Sequence, residues 1–421
     1  MNKLTFLFIT IFCAASLFSQ APTISDINFE GLKRTKEKIL FRVVEVEKDE
    51  ELNLSKLEKD IIQLKRLPAI SHAYYKIKNV NDTKCIVTFF IEENFTVIPE
   101  VNLWTTTNKR LAYKLGVYDY NFLGRNIGIG GFYQQNGFDS YGFNFRAPML
   151  FSRTMGIAFN HQNWSSEEPL YFGDNSANYK YQNISYELLL LCRINFKHTI
   201  DFGVNLFNEK YTYLSGHTMD DVPQQLDLNK KLLKFVYTYD DLNYFYHYVE
   251  GFKSQLYGQY VTTINEYQND FFIAWNDAFY FKRIGEKGNW ANRLRIGLST
   301  NEESPFAPFA LDNNVNLRGV GILVDRGTGS IVWNTEYRHT LYEKNWFVLQ
   351  GNVFTDFGTW RTPGGSLKDF VKSENVRVYS GVGLRFISKK IFNAVFRIDY
   401  GYGVTPNSSS SGLVFGIGQY F

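Results

Sequence analysis

The sequence predicts an all-β transmembrane barrel of 16 antiparallel strands, preceded by one small α+β domain of βααββ order. Three observations carry that reading. The chain of 421 residues is 17% aromatic, with 38 Phe, 28 Tyr and 7 Trp, yet its mean hydropathy is −0.26. Strands that alternate apolar and polar residues average out in this way. No stretch after the first 20 residues carries 18 consecutive apolar residues, which excludes a helical membrane protein. From Phe95 onward only strand-like runs and Asn/Asp/Gly/Ser turns are found. A net charge of +3 with 21% charged residues excludes a disordered chain and a concentrated basic surface for nucleic acid.

In chain order, residues 1–20 read as a secretory signal peptide. Lys3 supplies the positive start, Leu4–Phe12 the apolar core, and Ala14, Ala15, Ser16 and Ser19 the small residues that follow. Bulky Phe12 before Cys13 disfavours lipidation at that cysteine. Its loss leaves Cys85 and Cys192, too far apart in sequence to suggest a disulfide framework or a metal site. Residues 21–94 form the small domain. Ile24–Glu30 alternates as a strand, and Thr35 opens a helical segment carrying Ile39, Leu40, Val43 and Val44 on one face. Asn53 or Ser55 caps a second helix, Leu54–Leu67, which Pro68 ends. His72–Lys78 and Cys85–Glu92 alternate as two further strands around the Asn81-Asp82 turn.

Residues 95–421 supply the barrel, as runs at 95–105, 110–120, 126–137, 140–149, 154–165, 178–192, 197–214, 229–243, 252–265, 268–285, 289–301, 330–344, 345–360, 374–388, 391–404 and 412–421. Each has roughly the ~9–11 residues that cross a bilayer, or more. Parity is sharp in the last strands. Asn334, Glu336 and Arg338 share one face, against Trp333, Thr335, Tyr337 and Leu341. Gln350, Asn352 and Asp356 oppose Phe347, Leu349 and Val353, and Arg397 and Asp399 oppose Phe396, Ile398 and Tyr400. A wet lumen and a lipid-facing exterior require such a split. The closing Gln419-Tyr420-Phe421 suggests an interfacial girdle, with Phe421 as a C-terminal signal.

The longest interval between runs, Glu302–Gly329, holds Asn316-Leu317-Arg318-Gly319-Val320-Gly321 after Ser304–Asp312. This resembles the lumenal loop between the eleventh and twelfth strands of the BamA/TamA family of outer-membrane insertion and secretion barrels. Asn121-Phe122-Leu123-Gly124-Arg125-Asn126, Tyr239-Asp240-Asp241 with Gly251, Phe354-Thr355-Asp356-Phe357-Gly358 and Ala394–Tyr400 resemble further segments of that family. The small domain resembles a single polypeptide-transport-associated (POTRA) repeat, so the likeness covers nearly all of the chain after the signal. One departure is Val320, where the family usually has an aromatic, so the loop tip is expected to pack differently.

An arginine inside a lumen needs carboxylate partners. The parity above nominates Glu336 and Asp356 for Arg318, with Leu317 and Gly319 completing a loop lock, and the resemblance implies the same engagement. Arg338, Arg397 and Asp399 are expected as further interior charges, and Gly416 and Gly418 as weak points of a seam between the first and last strands. Other candidate chemistries fail. Gly124–Gly131 lacks a strand–helix unit to cradle phosphate, the six histidines lack ligand spacing, and no Gly-x-Ser-x-Gly elbow occurs. Asp240 and Asp241 point to opposite faces of a strand, which spoils joint catalysis. The sequence predicts no enzyme and no cofactor. The resemblance implies an outer-membrane protein, its repeat in the periplasm receiving unfolded outer-membrane or secreted clients. The segment near Cys85–Glu92 would hand them on, with periplasmic chaperones or accessory lipoproteins as further partners. A two-partner-type secretion pore and a passive structural barrel are the alternatives. A chain that opens directly on its first repeat strand, without a plug helix, disfavours the former.

Overall fold

The computed structural model describes residues 21–105, 111–172, 175–217, 224–263, 269–301, 308–311, 316–320, 325–392, 394–406, 408 and 410–421. The predicted signal peptide lies outside these residues.

The N-terminal domain is a three-stranded sheet in the order β1-β3-β2, covered by helices. Strand β1 (Thr23–Glu30) runs parallel to β3 (Lys84–Glu93), and β2 (Ile70–Asn81) runs antiparallel to it. Helix α2 (Leu54–Lys65) begins where the Asn53 side chain accepts from the Lys56 amide, and it buries Leu57, Ile61 and Leu64 on the sheet. Helix α1 is only one turn, Glu37–Leu40, shorter than the apolar spacing predicts. The reason lies across the domain. The buried Asp60 carboxylate accepts from the amides of Glu45 and Val46, at 2.7 and 3.1 Å, and draws that segment off a helical path. Burial pushes Asp60 up to about 6. Val43 and Val44, whose amides bond back to the Leu40 carbonyl in the turn after α1, and Val46 then pack into the same core.

Sixteen strands form one antiparallel sheet curled into a barrel: β4 (Val97–Thr105), β5 (Leu111–Phe122), β6 (Ile127–Gln135), β7 (Asp139–Ala147), β8 (Met155–Phe172), β9 (Asn175–Arg193), β10 (His198–Gly216), β11 (Gln225–Phe245), β12 (Tyr248–Thr263), β13 (Phe271–Ile284), β14 (Gly288–Ser299), β17 (Gly329–Glu343), β18 (Phe347–Arg361), β19 (Val376–Ser388), β20 (Val395–Gly403) and β21 (Ser411–Ile417). The two-residue strands β15 (Phe309–Ala310) and β16 (Arg326–Gly327) pair inside the loop between β14 and β17. Of two short 3-10 helices, Leu367–Val371 lies in an interval between predicted runs, and Ser373–Asn375 takes the first residues of the run expected at 374–388, so that strand begins at Val376.

The wall alternates as a membrane barrel must. On β10, Phe202, Val204 and Leu206 point outward and are exposed, while Glu209 and Tyr211 are buried inside. On β20, Phe396, Ile398 and Tyr400 face out and Arg397 and Asp399 face in. Strands β8 to β11 have 18 to 21 residues, about twice what a bilayer needs. Their ladders therefore continue well past the apolar belt.

Sheet order ends at β21 on one side and β4 on the other, and no β21–β4 ladder is found among the described residues. Beside this junction, at the end of the barrel that carries the N-terminal domain, Phe95 just before β4 bonds the turn between β19 and β20. There the Phe95 amide donates to the Lys390 carbonyl at 2.8 Å, and the Phe392 amide donates to the Phe95 carbonyl at 2.9 Å.

The N-terminal domain is pinned to the turns at that end. Arg66 donates to the carbonyls of Phe196 and Leu242 at 2.8 and 2.9 Å, and Arg42 to that of Met149. Arg153 returns a bond to the Val44 carbonyl. The Asn121–Asn126 turn is one of these docking points. Asn121 donates to Thr35, and the Lys36 amide donates to the Gly124 carbonyl. Gly124 has φ +70°, and a Cβ there would lie 2.0 Å from the Arg34 carbonyl oxygen. Only glycine permits this approach.

Candidate functional site

The loop between β14 and β17 folds back into the lumen. Its tip residues Leu317 and Arg318 are fully buried and Val320 nearly so. Arg318 grips Asp356 bidentately, with Nε and Nη2 each donating at 2.8 Å, while its own backbone amide donates to Asp356 Oδ2 at 3.0 Å. Nη1 donates to Glu336 Oε2 at 2.6 Å. These are the two acids that strand parity nominates, and β17 and β18 present them side by side because both sit on the inward face. Asn334 ties the arrangement together, donating to Asp356 Oδ1 and to the Asn316 carbonyl of the loop.

The cluster is larger than sequence patterning suggests. Arg338 also bonds Glu336, and Arg397 lies 3.3 Å from Asp399. Arg385, which patterning missed, is fully buried and donates twice to Glu336, at 2.9 and 3.0 Å. Four guanidiniums thus meet three carboxylates. Aromatic faces supply further electron density: the Arg318 guanidinium carbon lies 3.6 Å from the Phe354 ring centre and 4.5 Å from that of Tyr420. Arg397 also sits over Tyr420, at 4.8 Å.

The last residues explain Tyr420's position and correct the expected girdle. The final strand ends at Ile417, short of the predicted run to 421. Gly418, at φ +97°, turns the chain inward and donates its amide to the Val395 carbonyl. Phe421 then lies inside, where Arg338 Nη2 donates to its carbonyl at 3.1 Å and its ring packs by Leu242, Phe281 and Ala291. Arg318 and Arg397 against the Tyr420 ring and Arg338 against Phe421 decide that path. Gly416 makes room rather than loosening the sheet, since a Cβ there would come within 2.7 Å of the Arg397 guanidinium.

Glycines also set the loop against the strands beside the seam. Gly319 has φ +97°, and a Cβ on Gly401 of β20 would lie 2.1 Å from the Arg318 carbonyl oxygen. The backbones of loop and wall are therefore in direct contact. The Ser410 hydroxyl donates to the Gly319 and Val320 carbonyls, both at 3.1 Å. On the other side, Gly358 admits Leu317, whose Cδ1 would be 2.9 Å from an added Cβ. Val320 packs with Leu311, Leu317, Val332, Trp360 and Tyr379, so the wall supplies the aromatic rings that the loop tip lacks. The flank Ser304–Ala307 lies outside the described residues. Beside the loop, the lumen keeps a cavity of about 710 Å³, lined among others by Glu187, Lys234, Trp275 and Arg295. No group of His, Cys, Asp and Glu suited to a metal ion occurs among the described residues.

Comparison with known proteins places these features. Residues 22–94 match the family model described as POTRA, surface antigen variable number repeat. BamA from Haemophilus ducreyi lacking POTRA domains 1–3 superposes with a TM-score of 0.55 at 15% identity, over 94% of this chain and 84% of that one. CdiB from Escherichia coli gives 0.62 at 13% identity, over 94% and 76%. CdiB from Acinetobacter baumannii gives 0.59 at 12%, over 95% and 74%. No curated protein matches the chain by sequence. The fold is that of a BamA-like barrel, here with one POTRA domain.

Proposed function

We propose that this chain is a non-enzymatic outer-membrane factor that inserts or translocates polypeptides, with its POTRA domain in the periplasm and its barrel in the bilayer. The observation that carries the reading is the conjunction at the loop tip. A fully buried Arg318 fixes the loop to Glu336 and Asp356, while β21 and β4 close the barrel without a described ladder. A passive pore gains nothing from a buried ion cluster of this size, which is costly to desolvate and serves mainly to hold one geometry. The loop is a lock in this reading, and the unladdered junction is the place where a client strand or segment leaves the barrel.

A client enters by adding a strand to the POTRA sheet. The edge that offers itself is β2, because residues 49–52 bond the outer edge of β1, while the Cys85–Glu92 strand keeps its expected part as the hand-over element that leads into the barrel. That strand is β3, the centre of the sheet, with both its edges already paired. Export of one dedicated protein through the lumen is the second reading, favoured by the cavity beside the loop. Depletion of the protein followed by outer-membrane and secreted proteomics separates the two. Broad loss of barrel proteins is expected for an insertion factor and loss of one secreted protein for an exporter. An unchanged proteome overturns both.

A further inference from the structure

The first strand of the POTRA domain runs into a basic segment. Residues 31–42 carry Lys33, Arg34, Lys36, Lys38 and Arg42, with Glu37 as their single acid. Lys33, Arg34, Lys36 and Lys38 are exposed, and among the described residues no carboxylate pairs with Lys33, Lys36 or Lys38. The fold lays this segment along the rim of the barrel, across two consecutive turns. At the β5–β6 turn the Lys36 amide donates to the Gly124 carbonyl, and at the β7–β8 turn Arg42 donates to the Met149 carbonyl. Both turns expose large apolar tips beside that segment. Leu123 is 60% exposed and Phe151 62%, and Phe41 of the segment itself is exposed as well. Arg125, next to the first tip, is exposed and has no described carboxylate partner, while Arg153, next to the second, lies 3.8 Å from Glu47.

We propose that this rim surface docks the POTRA domain on the periplasmic leaflet, binding anionic phospholipid headgroups through Lys33, Lys36, Lys38 and Arg125. Leu123, Phe41 and Phe151 seat in the boundary between headgroups and acyl chains. The inference rests on the membrane placement of the barrel and adds a lipid ligand for the repeat. Two observations select lipid. The turns join strands that cross the bilayer, so the barrel itself sets their tips near headgroup depth, where a cluster of basic side chains attracts anionic lipid. The tips also continue the lipid-facing wall. Phe122 ends β5 and Met155 begins β8, both exposed as Leu115 and Val117 of β5 are. An acidic protein partner could meet the same lysines, but the bilayer already lies against the wall that the tips extend. Large apolar groups beside lysines and arginines are the composition of a surface that lies in the interface. Docking there holds the repeat beside the β4 flank of the seam, because Arg34 lies 3.6 Å from Asp119 of β5 and 5.8 Å from the centre of the Phe95 ring.

The test is hydrogen–deuterium exchange over residues 33–42 of the full-length protein, in nanodiscs of phosphatidylcholine alone or with about one third phosphatidylglycerol. Exchange is expected to be at least about threefold slower in the anionic discs, and about 0.5 M salt should remove most of that difference. The combined variant Lys33→Gln, Lys36→Gln, Lys38→Gln, Arg125→Gln should lose the lipid dependence while the barrel keeps its heat-modifiable gel migration. The pair Leu123→Ser with Phe151→Ser should exchange faster in both kinds of disc. Equal exchange of the native protein in the two discs, a lipid dependence kept by the combined variant, or the same protection from free glycerol phosphate in neutral discs would overturn the assignment. A chain that enters the discs as a folded barrel but shows no lipid dependence sinks the docking alone. A chain that does not enter them sinks the membrane placement on which it rests.

Discussion

The loop tip touches two parts of the barrel that are built in opposite ways. Toward β17 and β18 it meets a ladder running from the Gly329–Arg361 pair to the Glu343–Val348 pair, with fully buried charges bonded across it. Toward β20 and β21 it meets a strand of 7 residues whose outer edge has no described ladder to β4. The densest electrostatics of the molecule therefore stand a few strands from its weakest junction. A buried ion cluster is a poor source of net stability but a strict one of geometry, because each misplacement leaves a charge unpaired. The difference teaches a division of labour. One flank fixes where the loop sits, and the other, through backbone contacts, takes its position from the loop.

The sharpest way to break this comparison is to remove the weakness. Phe95, just before β4, and Ile391, in the turn that leads into β20, form an isolated bridge beside the seam, so a Phe95→Cys, Ile391→Cys pair would tie the β4 side of the junction to the β20–β21 side. Under oxidising conditions the cross-linked protein is expected to lose client handling completely, and reductant should restore it. Full activity of the cross-linked form would mean that the seam does not open. Next in size is the opposite flank. Arg318→Ala leaves Glu336 and Asp356 buried and short of a partner, at a cost of ~3–5 kcal/mol. The midpoint of heat-modifiable migration should fall sharply, and a midpoint equal to that of the native protein would remove the lock from the argument.

How much of this was legible in the sequence follows from the range of each determinant. Alternation is local, so the inward rows with Glu336, Asp356, Arg397 and Asp399 could be read residue by residue, and counting strands placed the loop. Arg385 escaped because Gly381 and Gly383 blank out the parity of its strand. The fate of Tyr420 and Phe421 was not legible either, since a terminal aromatic suits a girdle as well as a lumen. The choice is made by Arg318, Arg338 and Arg397, which are distant in sequence. The shortness of α1 has the same character, being set by Asp60 from the other helix. Local pattern gave rows and turns; what crosses the barrel needed three dimensions.

Gly401→Ala tests the backbone contact that joins the two flanks. The added Cβ would meet the Arg318 carbonyl oxygen and the Gly319 amide nitrogen, both backbone atoms that cannot rotate away. Overpacking of this kind costs about 1–3 kcal/mol. The expected signature is a lower melting midpoint together with easier proteolysis of the loop, whereas Ala at Gly412, where an added Cβ meets only the Gly319 Cα at 3.9 Å, should be near neutral. Equal effects at the two positions would show that the contact carries no information between loop and seam.

The smallest effect is the most diagnostic. Ser410 precedes β21 and spends one hydroxyl on two loop carbonyls, while Tyr379 lies within 2.8 Å of the same oxygen. Ser410→Ala removes those bonds without adding bulk and should cost about 1 kcal/mol. Its effect should vanish in an Arg318→Ala background, because a loop already released from β17 and β18 no longer offers its carbonyls at that place. A double-mutant cycle on the melting midpoint measures this coupling directly. Additive losses would mean that the two flanks hold the loop independently, and the seam would then owe nothing to the ion cluster beside it.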